Sequence, residues 1–141
     1  MTSVFWDTNL FIYLFERNPR FSARMVEIRK NMLARGDQLC TSSLTVGEIL
    51  VKPAQEGQRE LLHRYRTFFQ QPVITVISFD LKAASIYAEI RNDRGISRPD
   101  AIQLACAAAA EVDLFVTNDE RLSAKRVSGI KFVTSLARAP L

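Results

Sequence analysis

The chain has 141 residues, of which 48% are hydrophobic and 24% charged, a composition typical of one globular domain with a substantial core. Its single histidine, His63, lies in a polar stretch, which argues against a histidine triad or a zinc hydrolase. The two cysteines, Cys40 and Cys106, lack the spacing of a zinc site or of a disulfide framework, and we predict that both are core residues.

No stretch of the sequence has the pattern of a membrane span or of a signal peptide. The longest apolar runs are Leu10–Phe15 and Leu104–Ala110, and Asp7 interrupts the N-terminal segment before a long apolar stretch develops. We therefore expect a cytoplasmic protein with no membrane partner.

Strands and helices alternate along the chain. Short apolar runs predict strands at Val4–Trp6, Leu39–Ser42, Val73–Ile77, Leu114–Thr117 and Ile130–Thr134. Apolar positions at helical spacing predict helices over residues 8–17, 21–35, 45–53, 55–70, 80–94 and 97–111, with a short helix before the last strand. The strands are apolar without strict alternation, which indicates a parallel sheet covered on both faces. The sequence thus predicts a single α/β domain over residues 1–141.

Proline and glycine mark the predicted ends of several helices. Asn18-Pro19 and Pro53 are expected to end the first and third helices, because proline lacks a backbone N–H and its ring clashes with the preceding turn. Gly36 and Gly95 are expected to follow the second and fifth helices, since glycine adopts the left-handed conformation of a C-cap most easily.

Four carboxylates fall where a predicted strand ends or a predicted helix begins. Asp7 directly follows the first strand, and Asp119 comes just after the fourth. Glu48 and Asp100 lie in the first turns of the helices that begin at Thr45 and Ser97. Because the carboxyl ends of parallel strands share one edge of a sheet, these acids can converge there although they are far apart in sequence.

Each of these acids also suits a helix cap. Thr45–Glu48 and Ser97–Asp100 resemble capping boxes, while Asp7 and Asp119 suit N-cap positions, and an acid at a helix N-terminus stabilises it by about 0.3–1 kcal/mol. Capping explains each position singly. It does not explain why four acids should share one edge, where they repel one another unless a cation is present. Taken together, the four positions favour a metal site.

The overall charge suits a polyanionic partner. The chain has 19 basic and 15 acidic residues, a net charge of +4, and without the four acids above the remainder carries +8. An acidic pocket in a basic body is the arrangement expected when a polyanion is held around metal cations. A mildly basic chain is also common for reasons of solubility alone, so both interpretations stay open.

The sequence motifs around the four acids resemble those of a known protein family. Trp6-Asp7-Thr8-Asn9 ends the first strand, Glu48 begins an early helix, Arg98-Pro99-Asp100-Ala101 precedes an alanine-rich helix, and Thr117-Asn118-Asp119 ends a later strand. In this order the sequence resembles the PIN-domain nucleases, and in particular the VapC-type toxins of bacterial and archaeal toxin–antitoxin pairs. The resemblance covers essentially the whole chain and implies a five-stranded parallel sheet flanked by helices.

The resemblance also implies a site and a reaction. It places the acidic quartet of the family on Asp7, Glu48, Asp100 and Asp119, supported by Asn9, Thr117 and Asn118. Such oxygen ligands prefer Mg²⁺ or Mn²⁺. The reaction implied is endonucleolytic hydrolysis of RNA, in which Glu48 either ligates metal or orients the attacking water. Arg98 is either a phosphate contact or a solvated surface residue.

Partners follow from the resemblance alone. VapC-type toxins are typically held inactive by a cognate antitoxin, and they commonly form homodimers. Phe15 and Phe21, in or near the first two helices, are either part of such a surface or part of the core.

Three other functions are compatible with parts of the pattern. A phosphatase of the haloacid dehalogenase class needs a second acid two residues after the first, and Asn9 stands there instead. A nuclease-like module that binds RNA or protein without cutting has no use for clustered acids, unless its partner is basic. A housekeeping PIN-domain nuclease would have the same site as a toxin.

Overall fold

The computed structural model describes residues 2–141, which contain five β-strands and seven α-helices. The strands are β1 (Ser3–Trp6), β2 (Gln38–Ser42), β3 (Ile74–Ile77), β4 (Leu114–Thr117) and β5 (Phe132–Ser135). They form one sheet in the order β3-β2-β1-β4-β5, with every neighbouring pair parallel. The predicted α/β fold with a five-stranded parallel sheet is therefore confirmed.

Helices connect the strands and cover both faces of the sheet. They are α1 (Thr8–Phe15), α2 (Ser22–Arg35), α3 (Ser43–Gln55), α4 (Arg59–Phe69), α5 (Leu81–Ile90), α6 (Arg98–Ala109) and α7 (Glu120–Ser123), with a 3-10 turn at Leu136–Arg138. None of the helices within residues 2–141 is long and apolar enough to cross a membrane.

The sheet divides the core into two layers. Val4 and Trp6 of β1 point to one side, where they pack with residues of α1 to α4, and Phe5 points to the other side, against α5 and α6. Phe5 stacks on Phe115 of β4 with ring centroids 4.9 Å apart. The predicted core position of both cysteines is confirmed, since Cys40 and Cys106 are buried in the second layer.

The strand order creates a crevice at the carboxyl edge of the sheet. β1 lies in the centre, with the earlier connections leading to β2 and β3 on one side and the later ones to β4 and β5 on the other. Ligands of open α/β sheets bind where the strand order reverses in this way. Trp6 is in register with Val116, and the backbone N–H of Asp7 donates to the Val116 carbonyl at 3.1 Å. The residues that follow β1 and β4 therefore emerge side by side.

Several predicted helix boundaries are wrong. Helix α4 begins at Arg59 rather than Gln55, because Gln55 still belongs to α3 and a turn at Gly57, with a φ of 66°, separates the two helices. Helix α3 begins at Ser43 rather than Thr45, because the Ser42 hydroxyl accepts the Thr45 N–H and so caps the helix. Pro53 does not end α3, which continues to Gln55. A proline so close to the C-terminus loses one internal hydrogen bond and leaves the earlier turns intact.

The predicted end of α5 is also wrong, since the helix ends at Ile90 rather than Arg94. The residues that follow form a turn in which the Asp93 carboxylate accepts the Gly95 N–H at 2.8 Å. The Arg91 guanidinium also donates to the Ile96 carbonyl at 2.8 Å. These local bonds give the backbone an alternative to continuing the helix.

Both phenylalanines considered for a surface pack against the core. Phe15 contacts an aromatic group on α4, with its ring centroid 4.9 Å from those of Tyr65 and Phe68. Phe21 stacks on Tyr13 with centroids 4.6 Å apart. Both rings are partly buried against the first core layer.

Candidate functional site

An acidic cleft of about 290 Å³ opens at the carboxyl edge of the sheet. Three of the predicted site acids line it: Asp7, Glu48 and Asp100. Its other lining residues are Thr8, Asn9, Ile12, Pro99 and Gln103. A larger cavity of about 570 Å³, between Ser123 and Val133, has no carboxylate in its lining. We therefore take the smaller cleft, in which three of the predicted acids meet, as the candidate site.

Asp7 is placed by the end of β1 and the start of α1. One carboxylate oxygen accepts the N–H of Thr8 at 2.9 Å and caps α1, while the other accepts the Thr117 hydroxyl at 2.8 Å. Burial raises the pKa of Asp7 above its usual value, and the nearby charges of Asp100 and Glu48 raise it further, against the lowering effect of the two hydrogen bonds. The two hydrogen bonds thus offset only part of the free-energy cost of ionising Asp7 in the folded chain.

Glu48 reaches the cleft from the second turn of α3. Its Oε1 accepts the hydroxyl of Thr8 at 2.9 Å, which joins α3 to the start of α1. Glu48 as a whole is an exposed residue. We predicted Glu48 in the first turn of this helix. It lies in the second turn, because the helix begins earlier than predicted.

Asp100 lies in the first turn of α6, as predicted. The Ser97 hydroxyl accepts the Asp100 N–H at 3.3 Å and caps the helix, which leaves the Asp100 carboxylate on the cleft side. Pro99 occupies the start of the helix, where its missing N–H costs nothing. Arg98 is exposed beside it.

Asp119 lies next to the cleft but is not part of its lining. Its Oδ1 accepts the backbone N–H groups of Arg121 and Leu122 at 3.0 and 3.3 Å and caps α7. The buried Thr117 hydroxyl links it to the cleft, because this hydroxyl donates to Asp7 and accepts the Asp119 N–H at 3.1 Å.

The two asparagines expected to support the site occupy different places. Asn9 is exposed and lines the cleft. Asn118 is turned toward α1, where its amide donates to the Tyr13 hydroxyl at 3.0 Å. Asn118 is therefore held away from the three cleft carboxylates.

Sequence reasoning missed a set of polar residues beneath Glu48. Gln103 of α6 is 2% exposed, and its amide hydrogen-bonds Ser42, Thr45 and Thr8. One signal was available in the sequence: Gln103 is the single polar residue in the otherwise apolar run from Ala101 to Ala110. A polar side chain in such a helix is tolerated in a core only when it is hydrogen-bonded.

The cleft fits a hard divalent cation by donor type and by charge. Its carboxylates offer only oxygen ligands, and the residues that line it include no lysine, arginine or histidine. Burial is the main cause of the raised pKa of Asp7, and the negative charges of Asp100 and Glu48 add to it. Within residues 2–141, however, no three carboxylates stand close enough to share one ion. The carboxylates of the cleft are therefore spaced more widely than those of a preformed three-ligand site.

A second, more apolar groove adjoins the cleft. It has a volume of about 390 Å³ between α1, α3 and α4, and Ile12 and Glu48 line both cavities. Its apolar lining comes from residues such as Phe15, Ile49 and Tyr65, with Glu16 and Glu56 also in contact.

Fold and site together define a small α/β domain with a carboxylate cleft at the switch point of a parallel sheet. The sequence model of the PIN domain matches residues 4–128. Because this match spans most of the chain, the protein belongs to the PIN-domain family. No curated protein matches the chain by sequence.

Solved structures share the fold at low sequence identity. VapBC2 from Rickettsia felis, bound to a DNA fragment from its promoter, has 20% identity and a TM-score of 0.70 over 95% of this chain and 98% of that one. FitAcB from Neisseria gonorrhoeae has 22% identity and a TM-score of 0.70 over 96% and 99%. DNA-bound VapBC from Salmonella typhimurium has 21% identity and a TM-score of 0.64 over 96% and 99%.

Proposed function

We propose that the protein is a metal-dependent endoribonuclease of the VapC type, the toxin of a type II toxin–antitoxin pair. The observation that carries the proposal is the convergence of Asp7, Glu48 and Asp100 in one cleft of a PIN-domain chain, without a cation among the lining side chains. Such an arrangement costs folding free energy through charge repulsion. A site that holds Mg²⁺ or Mn²⁺ accounts for it.

The proposed ligands are Asp7, Asp100 and Asp119, with Glu48 as a fourth ligand or as the group that orients the attacking water. A bound Mg²⁺ or Mn²⁺ supplies Lewis acidity at the scissile phosphate. Thr117 holds the Asp7 carboxylate in place through the bond at 2.8 Å and anchors the backbone of Asp119. Arg98, exposed at the start of α6, is proposed as a contact for a phosphate of RNA outside the acidic cleft.

A cognate antitoxin is proposed as the protein partner. The structural relatives are toxin–antitoxin complexes, and the apolar groove beside Glu48 is a suitable surface for a partner segment. The acids on its rim favour a segment that combines apolar anchors with basic residues. A segment seated there reaches the cleft directly, since Ile12 and Glu48 belong to both cavities.

A homodimer is proposed on separate grounds. Leu81, the first residue of α5, is 84% exposed, and Phe79, two residues before it, is 40% exposed. Exposed apolar side chains that form a contiguous patch commonly mark an interface. Sedimentation equilibrium of the wild type and of Leu81→Asp tests this, because a charge in the interface lowers the dimer population.

Cleavage of a labelled structured RNA tests the enzyme and its site together. The wild type is expected to cut with Mg²⁺ or Mn²⁺ and to stop with EDTA. Asp100→Asn, which removes a charge but little volume, is expected to abolish cutting while circular dichroism shows an intact fold. Glu89→Gln removes an exposed carboxylate of α5 and serves as the matched control with unchanged cutting.

Other outcomes assign other functions. Equal cutting by Asp100→Asn and the wild type contradicts the site assignment. Absence of cutting together with absence of Mn²⁺ binding in calorimetry assigns a catalytically silent binding module, which the open spacing of the carboxylates also allows. Cutting without growth arrest on expression assigns a housekeeping RNA-processing nuclease.

A further inference from the structure

A buried chain of polar side chains runs from the core to the cleft. It passes from Ser42 through Gln103, Thr45 and Thr8 to Glu48. Ser42 and Thr45 are fully buried, Gln103 is 2% exposed and Thr8 is 8% exposed, so water does not compete for these groups. The chain joins β2, α6, α3 and α1 beneath the candidate site.

The amide of Gln103 has one favourable orientation. Its Nε2 donates to Thr8 Oγ1 at 2.9 Å and to Thr45 Oγ1 at 2.7 Å, while its Oε1 accepts the Ser42 hydroxyl. If the amide were flipped, its oxygen would face both threonines and could only accept their hydroxyl protons. The Thr8 hydroxyl would then have no proton for Glu48, and two oxygen lone pairs would face each other at 2.9 Å. The contact with Glu48 therefore fixes the amide as described.

The positions of the threonine hydroxyl protons follow from the same comparison of donors and acceptors. A hydroxyl has one proton and a carboxylate only accepts, so the Thr8 hydroxyl donates to Glu48 Oε1. Thr8 and Thr45 lie 3.1 Å apart, and with the Thr8 proton committed, Thr45 donates to Thr8. Thr8 thus accepts two hydrogen bonds and donates one. Hydrogen bonds aligned in this way strengthen one another in a buried setting.

We propose that Gln103, acting through Thr8, is a positioning residue that fixes the orientation of the Glu48 carboxylate in the cleft. The inference rests on the proposed function and adds two residues to its machinery. Gln103 and Thr45 donate to the two lone pairs of the Thr8 oxygen, so that the Thr8 hydroxyl proton is directed to Glu48. The side chain of Glu48, otherwise exposed and free to rotate, is thereby held at one oxygen.

A double-mutant cycle separates positioning from simple packing. Thr8→Val and Gln103→Met keep the volume but remove the hydrogen bonds, and each is made with and without Glu48→Gln. With Glu48 present, each substitution is expected to lower kcat for RNA or the Mn²⁺ affinity in calorimetry by about 10- to 100-fold. With Glu48→Gln the same substitutions are expected to change both quantities by less than about threefold. Thr8→Ser, which keeps the hydroxyl, is expected to behave as the wild type.

The opposing results are equally specific. Equal losses with and without Glu48→Gln, matched by equal losses of stability in urea, would assign the network a purely structural role and overturn the inference. A loss in Thr8→Ser as large as in Thr8→Val would also overturn it. If Gln103→Met does not fold, the Thr8 variants complete the test alone. A wild type that neither binds Mn²⁺ nor cuts RNA overturns the proposed function and this inference together, whereas an active wild type with unaffected variants overturns the inference alone.

Discussion

Asp7 is the residue at which stability and the proposed chemistry conflict. Burial and the neighbouring carboxylates raise its pKa, which means that its charged form is less favourable in the folded chain than in the unfolded one. At neutral pH its ionisation therefore opposes folding. Two hydrogen bonds, from Thr8 and Thr117, reduce this cost without removing it. A functional group that is kept at the expense of stability is the usual pattern of an active site.

Asp7→Asn is therefore expected to raise the free energy of unfolding at pH 7 while abolishing RNA cleavage. Asparagine retains an oxygen for the Thr8 N–H, so the cap of α1 survives. The order of stability is expected to reverse with Mn²⁺: at about 100 times its Kd, the ion adds about 2.7 kcal/mol to the wild type and little to the variant. Urea titrations with and without Mn²⁺ measure both effects. An Asp7→Asn protein less stable than the metal-free wild type would contradict this account.

At the scale of single residues, the sequence identified the acids of the candidate site and two neutral residues, Asn9 and Thr117, but not the other neutral residues beneath the cleft. Asp7, Glu48, Asp100 and Asp119 were predicted as a group, and the structure brings the first three to one cleft but leaves Asp119 outside its lining. Thr8 and Gln103 were missed as site residues. A buried hydroxyl or amide gains its role from partners on other elements, and those partners are set by the three-dimensional packing rather than by spacing along the chain.

Among the helices and strands, the kinds of element were predictable and several ends were not. The β-branched run at Val73–Ile77 and the apolar run at Leu114–Thr117 predicted β3 and β4 well. Thr45 suited a capping box with Glu48, yet the Ser42 hydroxyl caps α3 instead. The two positions are equivalent in local sequence terms. Ser42 serves because it ends β2, and the strand delivers its hydroxyl to the start of the helix.

Glycines at two connections provide a test of backbone requirements. Gly36, after α2, and Gly129, before β5, have φ of 73° and 97°. A Cβ at Gly36 meets nothing within 4 Å, whereas one at Gly129 would lie 2.9 Å from the Ala108 carbonyl oxygen of α6. Gly36→Ala is expected to cost about 1–2 kcal/mol of unfolding free energy from backbone conformation alone. Gly129→Ala is expected to cost about 1–3 kcal/mol more, because the helix has to shift.

Urea denaturation of the two variants under identical conditions measures the difference. Gly36→Ala serves as the control for left-handed backbone strain, and its RNA cleavage is expected to be unchanged. Equal destabilisation by the two substitutions would mean that the loop before β5 moves away from α6 freely.

At the scale of the whole molecule, negative charge lacks a cationic partner within residues 2–141 at the carboxyl edge of the sheet and is paired at the amino edge. At the carboxyl edge, Asp7, Glu48 and Asp100 face one another across the cleft. At the amino edge, Asp113 accepts the N–H and the hydroxyl of Ser3 at 2.9 and 3.1 Å and pairs with Lys131 at 3.1 Å. Asp113 thus ties the start of β1 to the residues before β4 and β5. The strand order that creates this contrast follows from packing between distant segments, which the sequence pattern alone does not encode.

Because of Asp113, we expect the free energy of unfolding to fall as the pH is lowered into the acid range. Its hydrogen bonds with Ser3 and Lys131 hold its pKa below the usual range. Because the folded pKa lies below the unfolded value of about 3.9, the stabilisation is complete at pH values above the unfolded one. It is lost as the pH falls through the folded pKa. Asp113→Asn is therefore expected to be less stable than the wild type at pH 7 and to converge with it near pH 2.

Urea titrations at pH 7, 5, 3 and 2 measure this convergence, with Glu89→Gln as a control that removes an exposed carboxylate with no such partners. A constant gap between Asp113→Asn and the wild type at every pH would show that the side chain acts by packing rather than by charge. Convergence of the two free energies of unfolding at low pH would establish that the charge of Asp113 stabilises the amino edge of the sheet. The carboxyl edge, by contrast, is expected to reach its greatest stability only when a cation occupies the cleft, as the Mn²⁺ titration of Asp7→Asn measures independently.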